Sequence, residues 1–307
     1  MDAKKLARLF LPRTFPGVAE VKSASQGRVL DNLHSIEFYT DRIDGPMETP
    51  VITLGVIDKA ALCRSLMGEA HNFFLAAIVS QGRACQVQEQ NASWQAVEHY
   101  YAAYYAINYL VRLTGKSLTN MDERAKREIL RLQIGTDKRD YIPTGLYVLV
   151  AVDEDAKIKL TLEKKSDKGG SHKDAWRLWD KLISDIEVET ADDIEEYADL
   201  SLTLNEHMKF IRSNSNPIET RSGINYKFIG GTWIFEEKQD DVRKMQLMIE
   251  DSALHANMSS KGPRQMIINN DLVIGLAKEY FKDNATRNPK SIGSKLCNKY
   301  KRFMEPQ

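Results

Sequence analysis

The sequence predicts an α+β fold in which helices predominate, a helical bundle with two short β-hairpins. Three observations lead there. Residues Ser93 to Thr114 place Trp94, Val97, Tyr101, Tyr104, Asn108 and Val111 at steps of three and four, the spacing of one helix face. The stretch from about Lys59 to Arg83 is apolar nearly all round, through Leu62, Leu66, Phe73, Phe74, Ala76, Ala77 and Val79, which suits a helix in the middle of a bundle. At 157 to 164, Ile158, Leu160 and Leu162 alternate with Lys159, Thr161 and Glu163, the period of a strand with one wet face.

Taken in order, residues 1–57 read as a mixed segment: a short helix near the start, a Pro/Gly-punctuated stretch, and a β-branched run TPVITLGVI at 49 to 57. Asp58 is placed to cap the apolar helix that follows. After a short polar link comes the tyrosine helix, whose phenolic O–H groups need partners wherever they are buried. A more charged helix is expected from Asp122 to Ile134. The period then changes: GLYVLVAV at 145 to 152 and KIKLTLEK at 157 to 164 flank the acidic turn Asp153-Glu154-Asp155 and form the first hairpin. Ser171 with Asp174 is a capping pair for a helix holding Trp176, Trp179, Leu182 and Ile186, and Thr190 with Asp193 repeats the device for a helix to about Ser213. The second hairpin is expected in INYKFIGGTWIFE, with Gly230-Gly231 as its turn. Helices are expected again over about 237–257, 264–283 and 290–304. The units are then a mixed segment 1–57, a bundle core of 58–135 and 171–257, an inserted hairpin and basic loop 136–170, and basic C-terminal helices 258–307.

Bulk properties narrow the function classes. Lys and Arg number 43 against 43 Asp and Glu, so an electrostatic site has to be local rather than a property of the whole surface. Cys63, Cys85 and Cys297 are odd in number and widely spaced, which suits reduced thiols in the cytoplasm. The N-terminal apolar patch is short and interrupted by Pro12, too little for a secretory leader, and no run is long enough to span a membrane. Neither a nucleotide-binding glycine loop of standard spacing, a zinc-cysteine cluster, an HExxH nor a GxSxG motif occurs, so no metal and no cofactor is expected.

One candidate site stands in the segment from Arg212 to Tyr226. It gathers Arg212, Arg221, three asparagines and a tyrosine where binding groups tend to be displayed. Arg221 could grip a phosphate through its planar fork. Equally, the asparagines and Pro217 could simply satisfy turn geometry. Together with AVEHYYAAYYAINYLVRLTG, this segment resembles the HEPN superfamily of helical bundles common in bacterial toxin and antiviral loci. The resemblance covers about a third of the chain. It implies a metal-independent ribonuclease site in which an Arg steadies the charged phosphorane and a His a few residues on handles protons at the ribose 2′-OH. In this chain Tyr226 stands where that histidine would be, and a phenol of pKa near 10 is a poor base at neutral pH.

Two literal Arg-to-His spacings also occur. Arg64 and His71 fall two turns apart on one helix, and Arg28 with His34 forms a second match; His71 could equally be a core histidine. The loop containing Lys168, Gly169, Gly170 and Ser171 puts glycines and basic groups just before a helix start, the recipe for an anion site, or else is a solvated connection. Charge is also segregated. Acidic residues run without a basic one from Asp185 to Asp199, a face that could dock a basic partner. Lys290, Lys295, Lys299, Lys301 and Arg302 interleave with aromatics near the C-terminus, where they could contact RNA or DNA or form a solvated helix face. The expectation is a cytoplasmic, nucleic-acid-associated component of a bacterial antiviral-defence or toxin-like system with a HEPN-type ribonuclease site. The alternative is a non-catalytic adaptor that assembles a multi-subunit complex around a catalytic partner. No membrane role is expected.

Overall fold

The computed structural model describes residues 3–85, 92–135, 138–154, 157–165, 170–192, 194–229, 232–233 and 262–301. It is mostly helical, with one small five-stranded antiparallel sheet. The chain opens with helix α1 (Ala3–Phe10), which buries Leu6, Ala7 and Phe10. Strands β1 (Phe38–Asp44) and β2 (Val51–Val56) form a hairpin, and β2 leads to helix α2 (Lys59–Ala84). Asp58 caps α2 as its position implies, its side chain accepting from the Ala61 N–H at 2.9 Å. The tyrosine helix α3 (Ala92–Leu113) follows, then β3 (Lys116–Met121) and helix α4 (Glu123–Arg131), capped by Asp122. The expected hairpin is β4 (Gly145–Glu154) and β5 (Lys157–Lys164).

The sheet order is β1-β2-β5-β4-β3, so residues before α2 pair with residues after α4. In the central β2–β5 pairing Ile52 faces Leu162 and Leu54 faces Leu160, and all four are fully buried. Alternation on β5 puts Ile158, Leu160 and Leu162 into the core, which is the physical meaning of the pattern in the sequence. Two strands lacked that signal. In β3, KSLTNM, the buried positions include Ser117 and Thr119 as well as Leu118 and Met121. In β1, Thr40 is buried because its Oγ1 donates to the Ile129 carbonyl at 2.7 Å.

The helical part continues with α5 (Gly170–Asp192), α6 (Ile194–Ile211) and α7 (Pro217–Ser222), and then with α8 (Pro263–Arg287) and α9 (Ile292–Lys299). Helix α3 packs against α2, α5 and α8, and is therefore buried around most of its circumference. Its face is less uniform than its periodicity implies: Val97, Asn108 and Val111 are buried, Tyr101 and Tyr104 half-buried, and Trp94 exposed.

Two expectations are corrected. The capping pair Thr190 and Asp193 does not start a helix at Thr190, because Thr190 is buried within α5 and bonds the Glu187 carbonyl at 2.8 Å. The second hairpin is also absent where its first strand should lie. Residues Gly223–Lys227 form a π-helical turn continuing from α7, and Phe228 adopts a left-handed conformation with φ 51°. Asn216 caps α7 by accepting from the Ile218 and Glu219 N–H groups, with Pro217 at the first helical position. That start commits the chain to helix, and buried Ile224 holds it there while its carbonyl accepts from Trp233 Nε1 at 2.7 Å. Gly230-Gly231 and the expected helix at 237–257 lie outside the described residues.

Candidate functional site

Arg221 lies on the last turn of α7 and points back onto the tyrosine helix. It is only 9% exposed. Its guanidinium sits over the rings of Tyr100, Tyr101 and Tyr226 at 5.3, 5.5 and 5.6 Å from their centroids. Nη2 donates to Tyr101 Oη at a long 3.4 Å, and Nε has no partner. No carboxylate among the described residues pairs with it, although the structure forms ion pairs with Arg13, Arg112 and Arg212 elsewhere. Among the described residues this nearly buried cation is held by ring faces and one weak hydrogen bond, less than a buried charge requires.

The same cluster contains a histidine that sequence spacing did not single out. His172 lies in the first turn of α5, its Nδ1 3.0 Å from Tyr100 Oη. Its ring stacks on Tyr104 with centroids 4.1 Å apart and planes at 25°. Burial pulls its pKa down from the ordinary value, and the positive charge of Arg221 adds to that. His172 is therefore neutral at pH 7. Burial raises the Tyr100 hydroxyl well above the usual phenol range, so it stays protonated.

The cluster thus combines a phosphate-binding type of cation, a neutral imidazole and aromatic faces. Tyr226 belongs to it but is 65% exposed and forms its outer edge, a placement better suited to covering a ligand than to buried proton transfer. His172 left one signal in the sequence: it directly follows Ser171 in the glycine-containing anion loop. A search for Arg followed by His passes over it, because here the histidine precedes the arginine along the chain.

The other candidates fall elsewhere. Arg64 and His71 do not form a site. Arg64 is part-exposed, 3.9 Å from Asp58, whereas His71 is in the core with its ring edge-on to Phe281. The core side of α2 buries His71 while Arg64, two turns earlier, reaches solvent. Arg28 and His34 serve a local turn. Arg28 forms a two-pronged contact to the Asp31 carboxylate at 3.1 and 3.0 Å, and His34 Nδ1 bonds the Asp31 carbonyl. Of the anion loop, Lys168 and Gly169 lie outside the described residues; Gly170 begins α5 and Ser171 lines a cavity of about 460 Å³.

Lys290, Lys295, Lys299 and Lys301 are exposed on and around α9, while Arg302 lies outside the described residues. The acidic stretch is partly matched from within the chain: Arg13 pairs with Glu189 at 2.7 Å and donates to the Asp185 carbonyl. No group of three His, Cys, Asp or Glu among the described residues is arranged to hold a metal ion. No described helix is long and apolar enough to cross a membrane. Comparison with protein-family models, with curated proteins and with solved structures finds no match.

Proposed function

We propose that this protein binds a phosphate of single-stranded RNA at Arg221 and cleaves the chain there without a metal ion, as a HEPN-type ribonuclease of an antiviral-defence or toxin-like system. The observation carrying this reading is the nearly buried Arg221 guanidinium, without a carboxylate among the described residues and flanked by a neutral histidine. A phosphodiester would supply the missing negative charge, and the tyrosine faces around it would take unstacked bases.

The chemistry follows from the geometry. Tyr100 Oη lies 3.0 Å from His172 Nδ1, and in the tautomer that donates Nδ1–H to it His172 keeps a lone pair on Nε2. That nitrogen takes the proton of the ribose 2′-OH, and the 2′ oxygen attacks the adjoining phosphorus. The bond to the 5′ oxygen breaks, the imidazolium returns the proton to that leaving oxygen, and a 2′,3′-cyclic phosphate remains. Arg221 balances the charge that builds on the equatorial oxygens.

Labelled RNA incubated with the protein in EDTA tests this. Cleavage should leave cyclic phosphate ends. Arg221→Ala should lower the rate by about 10²- to 10³-fold, the loss typical of removing one charge-stabilising donor. His172→Ala should lower it by about 10²- to 10⁴-fold. Because the base must be neutral and its pKa is pulled down, the wild-type rate should stay level as pH falls to about 6.5, the ordinary histidine value, and decline only below it. Intact RNA with the wild-type protein ends the ribonuclease reading. The exposed Phe228 and Ile229 beside the cluster would then favour the adaptor reading, with this face covered by a protein partner.

A further inference from the structure

Helix α9 is held to the rest of the protein by little buried surface. Gly293 is its one buried residue, while Ile292, Leu296 and Cys297 rest partly buried against the core. The Ile292 N–H also donates to the Val21 carbonyl at 2.8 Å. Directly beneath Gly293 lies His71 of α2, 3% exposed and edge-on to Phe281 of α8, with neither ring nitrogen hydrogen-bonded. A Cβ added at Gly293 would stand 3.6 Å from His71 Nε2 and 3.5 Å from both Asn284 Nδ2 and Ser291 Oγ. Three polar side chains from α2, α8 and the cap of α9 thus meet at one point, and glycine is the residue that lets α9 settle onto them. Two of the three have partners: Asn284 Oδ1 accepts from Asn288 Nδ2 at 2.7 Å, and Ser291 Oγ accepts from the Ser294 N–H at 3.2 Å. The imidazole has none.

We propose that His71 is a proton-operated latch for α9: the neutral ring lets the helix dock, and protonation at mildly acidic pH releases it. An imidazolium in this seat would be a buried charge without a counter-ion. The charged groups of the surrounding elements are engaged with one another or lie in solvent. Glu69 pairs with Arg112, Lys282 with Glu279 and Arg287 with Asp283, whereas Glu20, Lys22, Lys295 and Lys299 are exposed and Arg64 is part-exposed beside Asp58. Burial raises the Tyr109 and Tyr280 hydroxyls and the Cys297 thiol, so these groups stay protonated and neutral. Burial alone acts on His71, lowering its pKa to about 4. Lifting α9 uncovers the ring, and water then supplies the missing partner without the rest of the core opening. The released form has the ordinary histidine value of about 6.5, so between roughly pH 6.5 and 4 it takes up a proton that the docked form refuses. Release is therefore favoured as pH falls through that window, and above it the latch stays shut. With these two values the opening constant at pH 5 is about 30-fold higher than at pH 7.5.

Amide hydrogen exchange of the full chain at pH 7.5 and pH 5, corrected for the intrinsic effect of pH on exchange, tests this. At both pH values the α9 amides should exchange faster than the buried amides of α3, which marks an opening smaller than global unfolding. Protection of α9 should fall by about 30-fold between pH 7.5 and pH 5. In His71→Leu that fall should vanish. His71→Gln keeps a polar side chain that does not titrate and should abolish it too, which separates loss of the proton site from loss of the ring. Protection of wild-type α9 that is the same at both pH values overturns the proposal. So does a fall that survives in both variants, or α9 exchanging no faster than α3. The latch is independent of what Arg221 binds, so it and the ribonuclease reading can each fail without the other.

Discussion

His71 is an instructive single residue, 3% exposed with neither ring nitrogen hydrogen-bonded. Burial lowers its pKa to about 4, and His207 is lowered to the same value. His207 differs in being satisfied, accepting from Trp179 Nε1 at 2.8 Å and bonding Asn269 Oδ1 through Nδ1 at 2.7 Å. Both folded values lie below the unfolded histidine value of about 6.5, so between roughly pH 6.5 and 4 the unfolded chain binds protons that the folded chain does not. Stability is therefore full above that window and falls as pH drops through it, by up to about 3 kcal/mol for each histidine. His71→Leu removes two unpaired buried nitrogens at similar volume. It should leave the protein as stable or about 1 kcal/mol more stable at pH 7.5, with a smaller loss at pH 5. Urea unfolding of both proteins at the two pH values measures this, and identical pH dependence would mean that His71 is not a buried neutral histidine. His207→Leu should instead cost about 1–3 kcal/mol, because Trp179 and Asn269 lose their partner. The sequence could not separate these roles: α2 is apolar nearly all round, so no face marks His71 as interior. Arg221 stood out in the sequence only as one polar residue of a loop that turn geometry explains equally well. Its partner His172 did not stand out, since their meeting depends on how α5 and α7 both pack on α3.

At the scale of elements, the α2–α3 pair anchors the tyrosine helix on which the candidate site stands. Arg112, 1% exposed, crosses between them, donating to Glu69 on α2, to the Asn108 carbonyl and side chain on α3, and to the Leu118 carbonyl on β3. Its guanidinium also lies 4.1 Å over the Phe73 ring. Deleting one partner of such a pair strands the other charge, so Glu69→Ala should destabilise by about 3–5 kcal/mol. A second restraint is steric. Gly68 on α2 faces the Ser25 backbone, and a Cβ there would fall 1.9 Å from the Ser25 carbonyl oxygen. The Ser25 N–H bonds the Arg64 carbonyl one turn away, so the loop has little freedom to retreat. Gly68→Ala should therefore cost about 3 kcal/mol or more, read as a lowered urea midpoint at unchanged slope. Such close approaches are invisible to periodicity, as are strands paired mainly through backbone. Helices α2 to α5, β2 and the β4–β5 hairpin were readable from their apolar period, and capping agreed at Asp58 and Asp122; the expected cap Ser171 instead lies inside α5, which begins at Gly170. The failed hairpin at 224–236 shows two local signals in conflict: aromatics beside a Gly-Gly pair against an Asn-Pro helix start. Among the described residues the helix start prevailed, since Ile224 is buried only by continuing α7.

Over the whole molecule the balanced charge is sorted rather than mixed. Near the N-terminus Arg13 offsets part of the acidic stretch by pairing with Glu189. Near the C-terminus Lys282 and Arg287 are matched by Glu279 and Asp283 within α8, leaving Lys290, Lys295 and Lys299 exposed beyond them. On the proposed function, exposed lysines of this kind would hold a polyanion through counterion release and add affinity without base preference. Reversing all three, Lys290→Glu, Lys295→Glu and Lys299→Glu, should therefore weaken single-stranded RNA of every sequence alike. It should also flatten the plot of log affinity against log salt by about 2, since each phosphate neutralised on a single strand accounts for roughly 0.7 of that slope. Arg221→Ala frees one phosphate and should change the slope by less than about 1 while lowering the cleavage rate by about 10²- to 10³-fold. Fluorescence anisotropy between low and moderate salt separates the two. A slope unchanged by the triple reversal would remove α9 from the interface and leave RNA held at the tyrosine cluster alone, where the chain has no net charge to draw a distant strand in.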